Sequence, residues 1–366
     1  MRIGVPKEIK NSEARVSLTP GSVAELVRCG ADVIVQTNAG SAIGYSDKDY
    51  LAAGAEIARS AGEVFHDADL IVKVKEPQPE EVAMLEPRHT LFTYLHLAAD
   101  RSLTEGLLTS GATCIAYETV TAPDGSLPLL RPMSEVAGRM ATQVGAHYLQ
   151  KTMGGRGILL GGVAGTPRAK VVILGGGVAG LNALQMAVGM MADVTIFDVN
   201  RVRLSELDLT FGGRISTAYS SQDSIDQAVA SADLVIGAVL LAGAAAPKLV
   251  SRDLVGRMKE GAVVVDIAID QGGCFETSRA TTHQDPVFDV DGVTHYCVAN
   301  MPGAVARTST QALNDAILPY VVQIAANGRQ VLSDAPGLAA GLNVSDGRVR
   351  HPAIAAAFNL PFDPLE

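Results

Sequence analysis

The residues best suited by type and spacing to do chemistry begin at Gly175-Gly-Gly177-Val-Ala-Gly180, between the apolar run Lys170–Leu174 and a helical pattern. A bare G-x-G-x-x-G says little. One that ends a strand, opens a helix and meets an acid, Asp198, about 20 residues further on is a dinucleotide-binding fingerprint. Gly175 permits the tight turn, Gly177 lets a pyrophosphate approach a helix N-terminus, and Gly180 lets helix and strand pack closely. Asp198 is expected to take the adenosine ribose hydroxyls. A 2′-phosphate there would meet like charge, so NAD is preferred over NADP, a preference tempered by nearby Arg203. The plainer alternative is a glycine-rich turn of an ordinary α/β domain, with Asp198 merely closing a strand.

A second constellation lies in the first third. In Leu70-Ile-Val-Lys73-Val-Lys75, period-two alternation puts both lysines on one face of a strand, where they can face a cleft; the commoner outcome is that both snorkel to solvent. Arg15 sits in a polar loop before a helix and can bind a carboxylate with two parallel hydrogen bonds. His96 follows the apolar strand pattern 90–95, just past a strand's carboxyl end, where α/β proteins place ligand-binding residues, and an imidazole there can exchange protons near neutral pH. Asp270 closes the run 263–270, read as the end of a strand. Asp266 competes with it, and their even separation leaves alternation unable to decide.

These residues need elements to hold them. Short β-branched runs alternate with helical patterns almost from end to end, the rhythm of an α/β protein with parallel strands. Strands are expected at 3–5, 33–35, 70–74, 90–94 and 113–115, then at 170–174, 194–198, 215–219, 234–237, 262–267 and 294–298. Helices are expected near 20–29, 46–53, 78–85 and 100–109, with Thr19 as N-cap, Pro20 at the first helical position and Gly30 at the C-terminal cap. After the turn-rich segment 121–128, a long helix is expected from an N-cap at Ser134 to about residue 153, and another over 309–326. No internal repeat is evident.

Composition narrows the function. At 366 residues and 48% hydrophobic, the chain is too long for one core of roughly 100–200 residues and apolar enough for two. Its net charge of −10, with no basic cluster, works against nucleic-acid binding. Four cysteines without C-x-x-C or ligand spacing read as free thiols of a reducing compartment, and the early charges argue against a signal peptide, so a cytoplasmic setting is expected. The uncharged stretch 171–192 could imitate a membrane span, but its glycines, Asn182 and Gln185 argue against one.

With these residues assembled, the chain resembles the alanine dehydrogenase family, whose members share architecture with the NAD-binding part of transhydrogenases. The likeness rests on Met1-Arg-Ile-Gly-Val-Pro-Lys-Glu8, Glu13-Ala-Arg-Val-Ser-Leu-Thr-Pro20, Val72-Lys-Val-Lys-Glu-Pro77, Tyr94-Leu-His-Leu-Ala98, Ala116-Tyr-Glu-Thr-Val120, the glycine loop, and His295 to Val305. It implies two Rossmann-like doubly wound α/β domains, the NAD domain (129–306) inserted within a discontinuous substrate domain (1–128 and 307–366). It implies reversible oxidative deamination of L-alanine to pyruvate and ammonium with NAD. Arg15 and Lys75, rather than Lys73, would hold the substrate, and His96 and Asp270 would be catalytic. NAD contacts are implied for Ser134, Gly175, Gly177, Val178, Ala179, Gly180, Asp198, Arg203, Ser220, Val239, Leu240, Ile267, Asp270, Asn300, Met301 and Pro302. The family resemblance implies a homo-oligomer, a hexamer. Some relatives bind metal through an acid and a histidine near 323–327; Gln323 and Asn327 stand here, so no metal is expected. A transhydrogenase subunit, and a non-catalytic NADH-sensing protein, are the alternative readings.

Overall fold

The computed structural model describes residues 1–239 and 246–365. Contacts divide the chain into two compact units: Met1–Met133 with Val305–Glu366, and Ser134–Ala304. Helix boundaries follow local chemistry. The Thr19 hydroxyl caps Pro20–Arg28 by accepting from the Ser22 N–H, and Gly30 follows that helix at φ +85°. The Asp100 carboxylate caps Arg101–Ser110 in the same way at Leu103.

The first unit begins with β1 (Arg2–Val5), β2 (Asp32–Gln36), β3 (Glu56–Ala58), β4 (Leu70–Val72), β5 (Thr90–Thr93) and β6 (Thr113–Ala116), all paired in parallel. The second unit holds β7 (Lys170–Leu174), β8 (Asp193–Asp198), β9 (Ser216–Tyr219), β10 (Leu234–Gly237), β11 (Val263–Asp266), β12 (Val287–Val290) and β13 (Val293–Tyr296) in the order β12-β13-β11-β10-β7-β8-β9. Its strands are parallel except β12, which pairs antiparallel with β13. The chain then returns to the first unit with β14 (Leu342–Ser345) and β15 (Arg348–Val349), completing the sheet β15-β14-β6-β5-β4-β1-β2-β3, in which β14 runs antiparallel to β6.

Both sheets are doubly wound. In the first, the chain builds outward from β1 to β3 and then restarts on the other side at β4; in the second it does the same at β7 and β10. Ligands of open α/β sheets bind beyond the carboxyl ends of the strands flanking such a reversal. Alternate side chains feed two cores in the first unit: Leu70, Val72 and Phe92 join Ile3 and Val5 on one face, Ile71 and Leu91 join Phe65 on the other. The helix Ala306–Asn327 adds Leu313, Ile317, Val321 and Ile324 to the first of these. Among the described residues no helix is long and apolar enough to cross a membrane.

Several expectations change. The strand at 70–74 stops at Val72, so Lys73 and Lys75 lie beyond it and alternation does not govern them. Asp270 does not close a strand: β11 ends at Asp266, and Asp270 rides on the 3-10 turn Ile267–Gln271. Ser134 is not an N-cap, since the helix runs Arg131–Tyr148 and starts one turn earlier. The structure adds the short strands β3, β12, β14 and β15; with two to four residues each, their alternation is too brief to stand out from a loop.

Candidate active site

In the first unit, the reversal between β1 and β4 brings the segments after both strands together. Lys73 does not snorkel. It is wholly buried, with Nζ 3.1 Å from Glu8 Oε2 and 2.7 Å from Glu81 Oε1. Burial works against its charge, but the two carboxylates outweigh it and raise its pKa. The other oxygen of Glu8 accepts the Val74 N–H at 2.6 Å and the Lys75 N–H at 3.4 Å. Burial pushes the Glu8 carboxyl up, against the pull of Lys73. This buried cluster fixes the backbone that carries Lys75, a half-buried residue whose carbonyl also accepts from the Thr93 hydroxyl at 2.9 Å.

Arg15 is only 2% exposed. Its Nε and Nη2 donate to the two oxygens of Glu13 at 2.7 and 2.5 Å, and Nη1 points to Met133 Sδ at 3.1 Å. Burial disfavours the guanidinium charge, yet the bonds to Glu13 overcome it and raise the pKa. Glu13 thus holds one edge of the guanidinium plane, which fixes the direction of the rest.

His96 follows β5 in the left-handed region, φ +52°, a strained conformation for a residue with a side chain. Glu118 spans the turn beneath it, accepting N–H groups from Leu95 and His96. Its Oε1 lies 3.9 Å from His96 Nδ1. The Tyr94 ring stacks parallel to the imidazole, and its hydroxyl donates to the Leu129 carbonyl at 2.6 Å.

In the second unit, the loop after β7 turns at Gly175, φ +99°, where an added Cβ would approach the Ala238 carbonyl oxygen to 2.8 Å. At Gly180 a Cβ would come within 1.8 Å of the Gly175 carbonyl oxygen, so only glycine allows this approach of helix to loop. Asp198, half-buried at the end of β8, accepts the Gly176 N–H at 2.7 Å and the Asn200 N–H at 2.7 Å. Arg203 Nε donates to the Gly176 carbonyl at 2.7 Å, and Nη1 pairs with Glu206. Acid and arginine therefore brace the glycine loop as well as flanking it. The helix Val178–Gly189 begins at Gly177 without a side-chain cap, and a Cβ at Gly177 would meet nothing within 4 Å. An open approach to an uncapped helix N-terminus, with a carboxylate at its rim, fits a dinucleotide.

The remaining expected residues fall as follows. The Ser220 N–H donates to the Asp198 carbonyl at 3.1 Å, and Val239 lies beside Gly175. Val178 and Ala179 open the helix, and Ser134 is half-buried one turn inside its own helix. Asn300 takes φ +62°, and its carbonyl sits 3.1 Å from His283 Nε2; Met301 and Pro302 are buried after it. Asp266 is fully buried and accepts from the N–H groups of Ala268 and Cys274 and the Ser278 hydroxyl, which commits it to structure. Asp270 is exposed and Ile267 half-buried. Leu240 lies outside the described residues. On the helix Ala306–Asn327 the Asn327 amide donates to the Gln323 backbone carbonyl at 3.1 Å. Residue reasoning gave no role to Glu8, Glu13, Glu118 or Tyr94. Glu118 stands just past β6, so the rule that selects His96 past β5 would have selected it too.

Fold and site together define a two-unit α/β protein with a glycine loop opening an uncapped helix N-terminus in one unit and a carboxylate-braced set of Arg, Lys and His in the other. Comparison with known proteins makes this specific. The models described as "Alanine dehydrogenase/PNT, N-terminal domain" and "Alanine dehydrogenase/PNT, C-terminal domain" match residues 4–137 and 141–352. The chain belongs to the alanine dehydrogenase/PNT family. It is 60% identical to the alanine dehydrogenase of Halomonas elongata, over 99% of this chain and 98% of that one. With the alanine dehydrogenase of Mycolicibacterium smegmatis it shares 55% identity over the same proportions. A solved structure titled L-alanine dehydrogenase superposes with a TM-score of 0.95 at 53% identity, covering 98% of this chain and 99% of that one. A transhydrogenase structure from Sinorhizobium meliloti is more distant, at TM-score 0.82 and 26% identity over 96% of this chain and 100% of that one.

Proposed function

We propose that this protein catalyses the reversible oxidative deamination of L-alanine to pyruvate and ammonium, with NAD taking up the hydride. Relatives 53–60% identical over nearly the whole chain carry the alanine dehydrogenase name. The observation that carries the reading is the braced set Arg15, Lys75 and His96 beyond the strands of the first unit. In the oxidative direction L-alanine, NAD⁺ and water give pyruvate, ammonium, NADH and a proton. When bound, the nicotinamide supplies the hydride acceptor.

The guanidinium of Arg15 and the ammonium of Lys75 hold the substrate carboxylate and carbonyl, so that the Cα–H bond is oriented before reaction, an effect worth several kcal/mol of barrier. His96 takes the proton from the water that attacks the imine and returns it in the reverse direction, with Asp270 as its catalytic partner. Gly175, Gly177, Val178, Ala179 and Gly180 cradle the pyrophosphate. Asp198 keeps lone pairs for the ribose hydroxyls beyond those spent on Gly176 and Asn200, and its charge selects NAD over NADP. Ser134, Arg203, Ser220, Val239, Leu240, Ile267, Asp270 and Asn300 to Pro302 complete the contacts. The assembly is a homo-oligomer, a hexamer by the family resemblance, and the setting is the cytoplasm.

The test is spectrophotometric. Absorbance at 340 nm should fall with NADH, pyruvate and ammonium together and without any partner protein, which separates this reading from a transhydrogenase subunit and from an NADH sensor. Loss without ammonium would mean a 2-oxo acid reductase. His96→Ala should cut turnover by about 10²- to 10⁴-fold while NADH binding persists; near-normal turnover removes His96 from the mechanism.

A further inference from the structure

We infer that Glu118 is the positioning residue for the catalytic imidazole: its carboxylate clamps the turn that carries His96 and presents a negative charge to Nδ1, leaving Nε2 for the substrate. The inference rests on the acid–base role proposed for His96 and deepens it.

The pairing follows from register. β5 and β6 are parallel neighbours with Thr93 opposite Ala116, so the residues just beyond each strand emerge side by side, His96 from one and Glu118 from the other. Glu118 Oε1 accepts the His96 N–H at 2.6 Å and the Leu95 N–H at 3.2 Å, and Oε2 also lies 3.2 Å from the Leu95 N–H. Two successive backbone donors on one carboxylate hold His96 at φ +52°, a left-handed conformation that a residue with a side chain keeps only when its surroundings demand it. The ring is held from two further sides. Tyr94 stacks on it with planes 5° apart and centroids 5.9 Å apart, and Oε1 of Glu118 stands 3.9 Å from Nδ1, close enough for a small ring rotation to make the hydrogen bond. Catalytic hydrogen bonds are commonly loose before substrate arrives. The Glu118 side chain is 14% exposed against 48% for His96, so the carboxylate is shielded while the imidazole reaches out.

Other titratable groups surround the pair. Tyr94 is fully buried, its phenol pushed upward chiefly by that burial, so it stays neutral. His351, at the start of the helix Pro352–Phe358 packed against the 97–99 turn, is driven toward its neutral form by burial, opposed by Glu118. Asp100 and Arg101 open the helix on the other side of that turn, with Asp100 engaged at Leu103 and Arg101 at Glu105. Among the groups within an ion-pair distance of the His96 ring, the charge on the described residues is Glu118.

The test is the pH profile of kcat/KM for alanine oxidation by the full-length enzyme. Glu118→Gln keeps an oxygen for both N–H groups but removes the charge that faces Nδ1, so the acidic limb of the profile should move to lower pH. Turnover should fall about 3- to 30-fold, through the loosened ring, with the KM for NADH unchanged. Glu118→Asp should give an intermediate limb, and it carries the test by itself if the Gln variant does not fold. A limb at the wild-type pH in a folded variant overturns the inference. His96→Ala run alongside separates the two failures: retained turnover there sinks the acid–base reading, whereas a dead His96→Ala with an unmoved limb in the Glu118 variants sinks only the role of Glu118.

Discussion

Replacing Lys73 by Met tests whether the buried charges of the first unit are a closed set. Lys73 is 0% exposed between Glu8 and Glu81, whose side chains are 3% and 1% exposed. Methionine fills much of the same volume but leaves both carboxylates facing each other without a cation. Breaking a buried ion pair by removing one partner costs about 3–5 kcal/mol. For a unit of 150–250 residues each kcal/mol moves Tm by about 2–4 °C, so the first unit should melt about 6–20 °C lower. The loss must depend on pH, with a sign the structure sets. Burial already raises the folded Glu8 carboxyl above its ordinary value while Lys73 pulls it down; without Lys73 it rises further. A carboxyl whose folded pKa is raised contributes its stability when protonated, and that contribution is lost as pH rises from the unfolded value through the folded one. Lys73→Met should therefore be most unstable near pH 8 and partly recovered near pH 5.5, read by thermal melts at both. Adding Glu8→Gln and Glu81→Gln keeps oxygen acceptors for the N–H groups of Val74 and Gln78 and should restore at least half of the loss. A cost under about 1 kcal/mol, equal at both pH values, would refute the reasoning, since two uncompensated buried carboxylates cannot be that inexpensive.

Gly180→Ala forces a Cβ to within 1.8 Å of the Gly175 carbonyl oxygen; overpacking of about 1–3 kcal/mol should weaken NADH binding about 5- to 150-fold by fluorescence titration, and unchanged binding would detach this loop from the cofactor. Asp198→Gly should raise the NADP-to-NAD ratio of kcat/KM about tenfold or more, while also weakening NAD through the lost bond to Gly176; an unmoved ratio would remove Asp198 from cofactor choice. Cys29 is exposed, whereas Cys114, Cys274 and Cys297 are buried with thiols pushed up to about 12, so a thiol reagent at pH 8 should label one cysteine promptly and three more only after denaturation. Prompt labelling of all four would show that these cores open readily.

What the sequence by itself determined is local. Strand positions along β1, β2, β5 and β7 are written in β-branched runs, the cap at Thr19 in a hydroxyl followed by proline, and the turn at 175–180 in its glycines, of which Gly175 takes a positive φ and Gly180 lies too close to the Gly175 carbonyl for any side chain. What only the tertiary structure decided is which charge meets which. Lys73 and Lys75 are alike in type and two residues apart, yet the first is sealed against Glu8 and Glu81 and the second is half-buried beyond them. Asp266 and Asp270 looked equivalent by alternation; the early end of β11 buries one among backbone donors and leaves the other exposed on a 3-10 turn. Glu118 meets His96 across 22 residues and Glu8 meets Lys73 across 65, because parallel strands bring their carboxyl ends together whatever length of chain lies between. Electrostatic pairing depends on distance and on exclusion of water, and both are properties of the packed sheet rather than of any stretch of sequence.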